Sequence, residues 1–235
     1  MSSRVKRRWW WFTAGVVLLL LAVVGGPYLY IHVIEGPAPA PLTLASSTPS
    51  APHATSGGGS TTADGTWKVA SGSVVGYRVD EVLFGQSNVA VGRTDSITGS
   101  MTAAGTRVTA ASFTADMTTV TSDESRRDEQ FDGRIMEVSS YPTATFSLTR
   151  PIALGSIPAA GVRSTYTATG DLTLHGVTEQ VTFAVTGRLS GSSVQIAGSI
   201  PITFADYGIS NPSFPPVVTT EDHGILEFSL VFTHA

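Results

Sequence analysis

The chain has 235 residues, no cysteine and a formal net charge of −4. The missing thiols exclude disulfides, thiolate nucleophiles and Cys-based zinc or iron–sulfur sites, yet a chain of this length can bury enough core to fold without cross-links. Arg4, Lys6, Arg7 and Arg8 sit together at the N-terminal tip, which leaves ten basic against sixteen acidic groups from Gly65 onward, a poor match for nucleic acid.

The tip (1–8) precedes an uncharged apolar run whose centre is Val16 to Leu21 with Val23 and Val24. Its length, from Trp9 to Ile31, is enough to cross a hydrocarbon layer of ~30 Å at 1.5 Å per residue. Trp9, Trp10 and Trp11 mark one interface and Tyr28 and Tyr30 the other, and the one-sided basic cluster predicts a cytoplasmic N-terminus. The expectation is a single-pass signal-anchor over 9–34 in the cell membrane. A cleaved signal peptide would have a shorter apolar region, and Pro41 spoils Ala38-Pro39-Ala40 as a cleavage site. Residues 35–64 are Pro-rich and then Gly/Ser-rich. With so few apolar groups they are expected to form a disordered linker.

From Gly65 to Ala235 the signal is period-two alternation. Val75, Tyr77 and Val79 share one face of a strand, as do Phe113, Ala115 and Met117, then Ala144, Phe146 and Leu148, then Val181, Phe183 and Val185, and finally Leu226, Phe228, Leu230 and Phe232. Repeated strands with one apolar face predict an all-β antiparallel sandwich or barrel. Ser122 to Val138 breaks the rhythm. Phe131 and Ile135 are four apart, so a short helix is expected there, capped by Ser122 or Asp123, ended by Tyr141-Pro142 and lying across a barrel mouth or flank. His175-Gly176 reads as a hairpin tip.

These residues carry a resemblance. Tyr77 in the first strand, Arg127-Asp128, Tyr141 to Phe146 and Gly170 to Val181 are together similar to the YceI-like family, the lipocalin-like polyisoprenoid-binding proteins. The resemblance spans about Trp67 to Thr233. It implies an eight-stranded antiparallel lipocalin-like barrel with one short inserted helix and an apolar interior holding a long-chain isoprenoid. The family's His-Ser in the first strand is replaced by Ser73 to Tyr77, and its His-Leu after the Arg-Asp pair by Glu129-Gln130-Phe131, so the contacts of those histidines do not transfer.

The expected ligand-binding face is Val75, Tyr77, Val79, Phe113, Met117, Phe131, Ile135, Phe146, Leu148, Phe183 and Phe228. Arg126 and Arg127 are candidates for a polar rim, since guanidinium suits phosphate; the rival reading is a structural Arg–Asp pair fixing the helix. A small barrel is also able to fill itself with side chains. No Gly-x-Ser-x-Gly elbow is present; as a catalytic base His175 would need a nearby nucleophile and an orienting acid, and as a metal ligand it would need partners, which His223 and His234 do not offer at ligand spacing. The sequence thus supports a membrane-anchored, non-enzymatic carrier of an isoprenoid or quinone, with no metal and no other cofactor. Its rivals are a filled interaction domain and an enzyme of isoprenoid or lipid metabolism. The oligomeric state is open.

Overall fold

The computed structural model describes residues 37–44 and 64–235, with isolated positions at Leu18, Gly25 and Gly26. The basic tip, the expected span 9–34 as a segment and residues 35–36 and 45–63 of the linker lie outside the described residues. Among the described residues no helix is long and apolar enough to cross a membrane.

The described residues form twelve strands in chain order: β1 (Gly65–Val69), β2 (Val74–Leu83), β3 (Gln86–Thr94), β4 (Ile97–Ala104), β5 (Arg107–Asp116), β6 (Thr143–Leu148), β7 (Ile152–Ala153), β8 (Ser164–Leu174), β9 (Val177–Ser190), β10 (Ser193–Thr203), β11 (Val218–Thr220) and β12 (His223–His234). They form the eight-stranded antiparallel barrel that the resemblance implies, one of the two all-β forms that the alternation leaves open. Several staves are broken in two. β1 and β2 lie end to end along one edge of β12, Trp67 to Val69 against Phe232 to His234 and Val74 to Arg78 against Ile225 to Ser229. β4 and β3 continue the next stave, pairing with β1 and β2. β6 and β7 likewise share the edge of β5. The circuit β1-β4-β5-β6-β8-β9-β10-β12 closes through β12 on β1.

Closure needs a jog between Val69 and Val74, because that gap is longer than the Leu230–Val231 stretch facing it. Buried Ser73 repairs the ladder there. Its hydroxyl donates to Ala70 O at 2.7 Å and accepts the backbone N–H of Val231 at 2.9 Å. A side-chain hydroxyl thus replaces a missing backbone partner, which removes the penalty of an unpaired buried N–H. On the outer face of β8 and β9, threonines pair across the strands at Thr165–Thr186, Thr169–Thr182 and Thr173–Thr178, a polar counterpart to the apolar inner face.

The helix α1 (Ser125–Gln130) is shorter than expected and continues as a π-helical turn over Phe131–Ile135. Its cap is Glu124, whose carboxylate accepts the N–H of Arg126, and not Ser122 or Asp123. Ser122 is taken by Asp128, which accepts both its hydroxyl and its backbone N–H. The helical stretch ends before Tyr141-Pro142 because Glu137 turns into positive φ. Met117 also departs from its expected strand. β5 stops at Asp116, whose carboxylate caps a 3-10 turn over Met117–Thr119, and Met117 is buried in that turn.

The linker expectation fails in part. Residues 37–44 do pack, lying on the outer wall with Leu44 only 4% exposed. Prolines leave little backbone entropy to lose and leave carbonyls free. Arginines of the barrel take those carbonyls, and Leu44 supplies apolar area that the Pro/Ala composition hid.

Candidate functional site: the barrel interior

The barrel encloses a cavity of about 890 Å³. It runs from a rim built by α1, the β2–β3 tip and the loop before β11 to Ile152, Leu154 and Tyr166 at the opposite end. All eleven residues of the expected apolar face border it, from Val75, Tyr77 and Val79 through Phe113, Met117, Phe131, Ile135, Phe146 and Leu148 to Phe183 and Phe228. Arg126 and Arg127 also border it, at the rim. Alternation places the strand residues among them there, since a strand residue facing inward is followed by one facing out, while Met117 comes from the 3-10 turn and Arg126, Arg127, Phe131 and Ile135 from the helical stretch.

The sequence did not disclose why so many aromatic rings leave a hollow. Four of them sit against glycines of neighbouring strands. A Cβ built on Gly92 would stand 2.3 Å from Tyr77 Cε1, one on Gly170 2.4 Å from Phe146 Cζ, one on Gly99 2.7 Å from Phe113 Cδ1, and one on Gly198 2.7 Å from Phe228 Cζ. Glycine in mid-strand costs stability, and a close approach is its usual reason. Here each glycine lets a ring press against the wall instead of reaching toward the axis. Adjacent rings then meet at their edges, Phe146 on Phe183 at 5.5 Å and Phe183 on Phe228 at 5.8 Å between centroids, nearly perpendicular, a favoured arrangement. Phe131, on the π-helical turn, stacks on Tyr77 at 5.1 Å and closes the wall below α1. Glycines on β3, β4, β8 and β10, read together with the aromatics of their neighbours, were the available signal for this lining.

Polar groups in the wall are few. Burial holds the Tyr77 phenol well above the ordinary tyrosine range, outweighing the opposite pull of Arg127, so it stays a neutral donor at any physiological pH. At the rim, three arginines (Arg126, Arg127, Arg134) are matched by Glu81, Glu124 and Glu129. Arg127 pairs with Glu81 at 3.3 Å and with Asp123. Arg134 donates to Pro212 O at 2.8 Å. Asp128, the expected acidic partner in a structural Arg–Asp pair, instead accepts from Ser122, and Arg127 pairs with Asp123 just ahead of α1.

His175 sits at the β8–β9 tip with φ +52 and Gly176 at φ +76. Its ring packs on Tyr141 with centroids 4.5 Å apart and Nδ1 meets Tyr207 O at 3.2 Å. Those contacts make it a turn residue outside the cavity wall.

Residues 67–232 match the sequence profile of the YceI-like domain. Solved structures share the fold. A polyisoprenoid binding domain from Saccharophagus degradans, implicated in plant cell wall breakdown, aligns with TM-score 0.60 and 18% identity over 72% of this chain and 98% of that one. Burkholderia cenocepacia BcnA aligns with TM-score 0.51 and 24% identity over 66% of this chain and 95% of its own. The Campylobacter jejuni YceI protein aligns with TM-score 0.51 and 13% identity over 61% and 84%. A comparison with curated proteins finds no match.

Proposed function

The chain belongs to the YceI-like family, and from that premise we propose that its barrel is a non-enzymatic container for a long-chain isoprenoid, held outside the cytoplasm by the N-terminal apolar segment. The observation that carries this is the hollow itself. A volume of about 890 Å³ falls in the ~300–1,000 Å³ range of ligand sites, and the glycine-backed rings keep it open. An isoprenoid chain has no polar group along its length, so a wall with few polar atoms leaves none of its own or the ligand's groups unsatisfied. Each buried methylene contributes about 0.8 kcal/mol, so a chain of several prenyl units gains enough from burial alone. The polyisoprenoid binding named for the Saccharophagus degradans domain supports the same ligand class. The balanced charges at the rim favour a neutral head of the quinone type over a phosphate.

The test is extraction of the full chain, purified in mild detergent, with organic solvent and mass spectrometry of the extract. A prenylated lipid near one mole per mole of protein is the expected result. An extract holding only detergent and bulk phospholipid would overturn the reading. Protease added to intact spheroplasts checks the topology: the barrel should be shaved off, and protection until lysis would refute the external placement.

A further inference from the structure

Residues 37–44 lie on the outer wall in a site with its own chemistry. Glu227 on β12 turns its carboxylate to Arg93 and the N–H of Leu42 on the outer wall and is only 4% exposed. Arg93 of β3 reaches it across β2, with Nη2 2.7 Å from Oε1. That reach requires Gly76, which stands in register between Glu227 and Arg93; a Cβ there would meet Arg93 Cγ at 2.8 Å. Arg78, two residues further along β2, approaches the other carboxylate oxygen at 3.6 Å.

The two guanidiniums and the carboxylate then face the extended segment. Arg78 donates to Pro39 O and Arg93 to Ala40 O. The N–H of Leu42 donates to Glu227 Oε2 at 3.0 Å. Ser229 donates to Thr43 O at 3.4 Å and Arg163 to Leu44 O at 3.3 Å, and Leu44 is buried. Donors on the wall meet carbonyls of the segment, and the one acceptor meets its one bonded N–H. Pro37, Pro39 and Pro41 have no N–H to satisfy, so this pattern suits a proline-rich extended strand.

We propose that Arg78, Arg93, Glu227 and Ser229 form a peptide-binding cradle whose ligand is this chain's own 39–44 segment, and that its occupancy sets how far the barrel stands from the membrane. The second half rests on the membrane-anchor reading above. Fully extended, the thirty residues from 35 to 64 reach ~100 Å at about 3.3–3.6 Å each. With Pro39 fixed on the cradle, the path from Ile34 is at most ~18 Å. Docking turns a long tether into a short strap.

The absence of cysteine makes labelling direct. Ala40→Cys and Ser147→Cys put spin labels at two exposed positions, the second on β6, across the circuit from β12. Pulsed EPR on the full chain should give one narrow distance distribution. Leu44→Asp, which changes the strap and not the barrel, should broaden it severalfold, and Leu44→Ile should restore it. A broad distribution in the parent, or a narrow one in Leu44→Asp, overturns the cradle. A distance that appears only between singly labelled chains mixed together overturns the assignment within one chain in favour of a second copy. In phosphatidylcholine vesicles carrying an acceptor dye, energy transfer from a donor at Cys-substituted Ser147 should fall in Leu44→Asp. Equal transfer in both proteins sinks the spacing role and leaves the cradle. No transfer in either removes the anchor, and the spacing role with it.

Discussion

The inner and outer walls of the same strands bury their side chains by opposite means. Along β12, Leu226, Phe228 and Leu230 face a hollow and need only apolar neighbours, whereas Glu227 and Ser229 between them face a peptide and depend on matched donors and acceptors. Inside, space is left and no hydrogen bond is at stake. Outside, space is filled and nearly every polar atom of the Arg78–Glu227–Arg93 cluster is engaged. A strand with period two can serve both demands at once. The inner wall asks only for apolar neighbours, and the outer wall asks for carbonyls and an N–H at set positions along an extended backbone.

The comparison breaks most sharply if one large change is made on each face. Phe183→Asp places an unpaired charge in the apolar wall, and Glu227→Ala leaves two arginines facing each other. Each is expected to cost several kcal/mol, ~3–5 for a broken buried pair, with a matching fall in melting temperature. Only Phe183→Asp should empty the cavity at temperatures where both variants stay folded. Equal loss of co-purified lipid in the two would mean that the walls are not independent. A change of middle size sharpens the picture. Gly92→Ala adds a methyl 2.3 Å from the Tyr77 ring, which must then swing toward the lumen. Overpacking of this kind costs about 1–3 kcal/mol, and lipid per mole of protein should fall with it; unchanged lipid content would remove Tyr77 and its glycine from the binding wall.

The smallest effect is one of pH. The folded-state pKa of Tyr77 lies above its ordinary value of 10.0, with burial the main cause, and that of Tyr207 is pushed up to about 12 by burial and by Glu179 and Asp206. A raised pKa means that the folded state keeps its proton where the unfolded state has lost it. The associated stability is whole below pH 10 and drains away as pH climbs through the folded-state values. Tyr77→Phe should therefore be nearly neutral at pH 7 and should flatten the alkaline decline in melting temperature. A decline as steep as that of the parent would place Tyr77 in a wetter setting than the structure shows.

The inner wall was the more legible of the two in sequence. Val75, Phe113, Phe146, Phe183 and Phe228 announce their faces by alternation, because burial on one side of a pleated strand demands it. β3 and β4 are quieter, since Ser87, Gly92, Gly99 and Ser100 carry no apolar rhythm; their small residues make room for rings that belong to other strands, and that pairing exists only across the sheet. The hollow was likewise invisible residue by residue. The outer wall gave still less. Arg78, Arg93 and Glu227 look like ordinary outward-facing charges, and nothing local says that Gly76 lets two of them meet. Composition marks the segment 37–44 as unpacked linker because it averages over thirty residues and conceals what Leu42 and Leu44 do at particular ones.

The seam where β12 meets β1 and β2 has a consequence for the order of assembly. Phe232, fully enclosed at 0% exposure, lies opposite Val69 in register, so the ends of the domain supply the last contacts of the circuit. Contacts of such long sequence separation put a β-barrel at the slow end of folding, in milliseconds to seconds. A chain emerging from its N-terminus cannot close until β12 is out. Until then it offers open strand edges and no sealed lumen, so an enclosed apolar interior belongs to the finished barrel and not to the nascent chain.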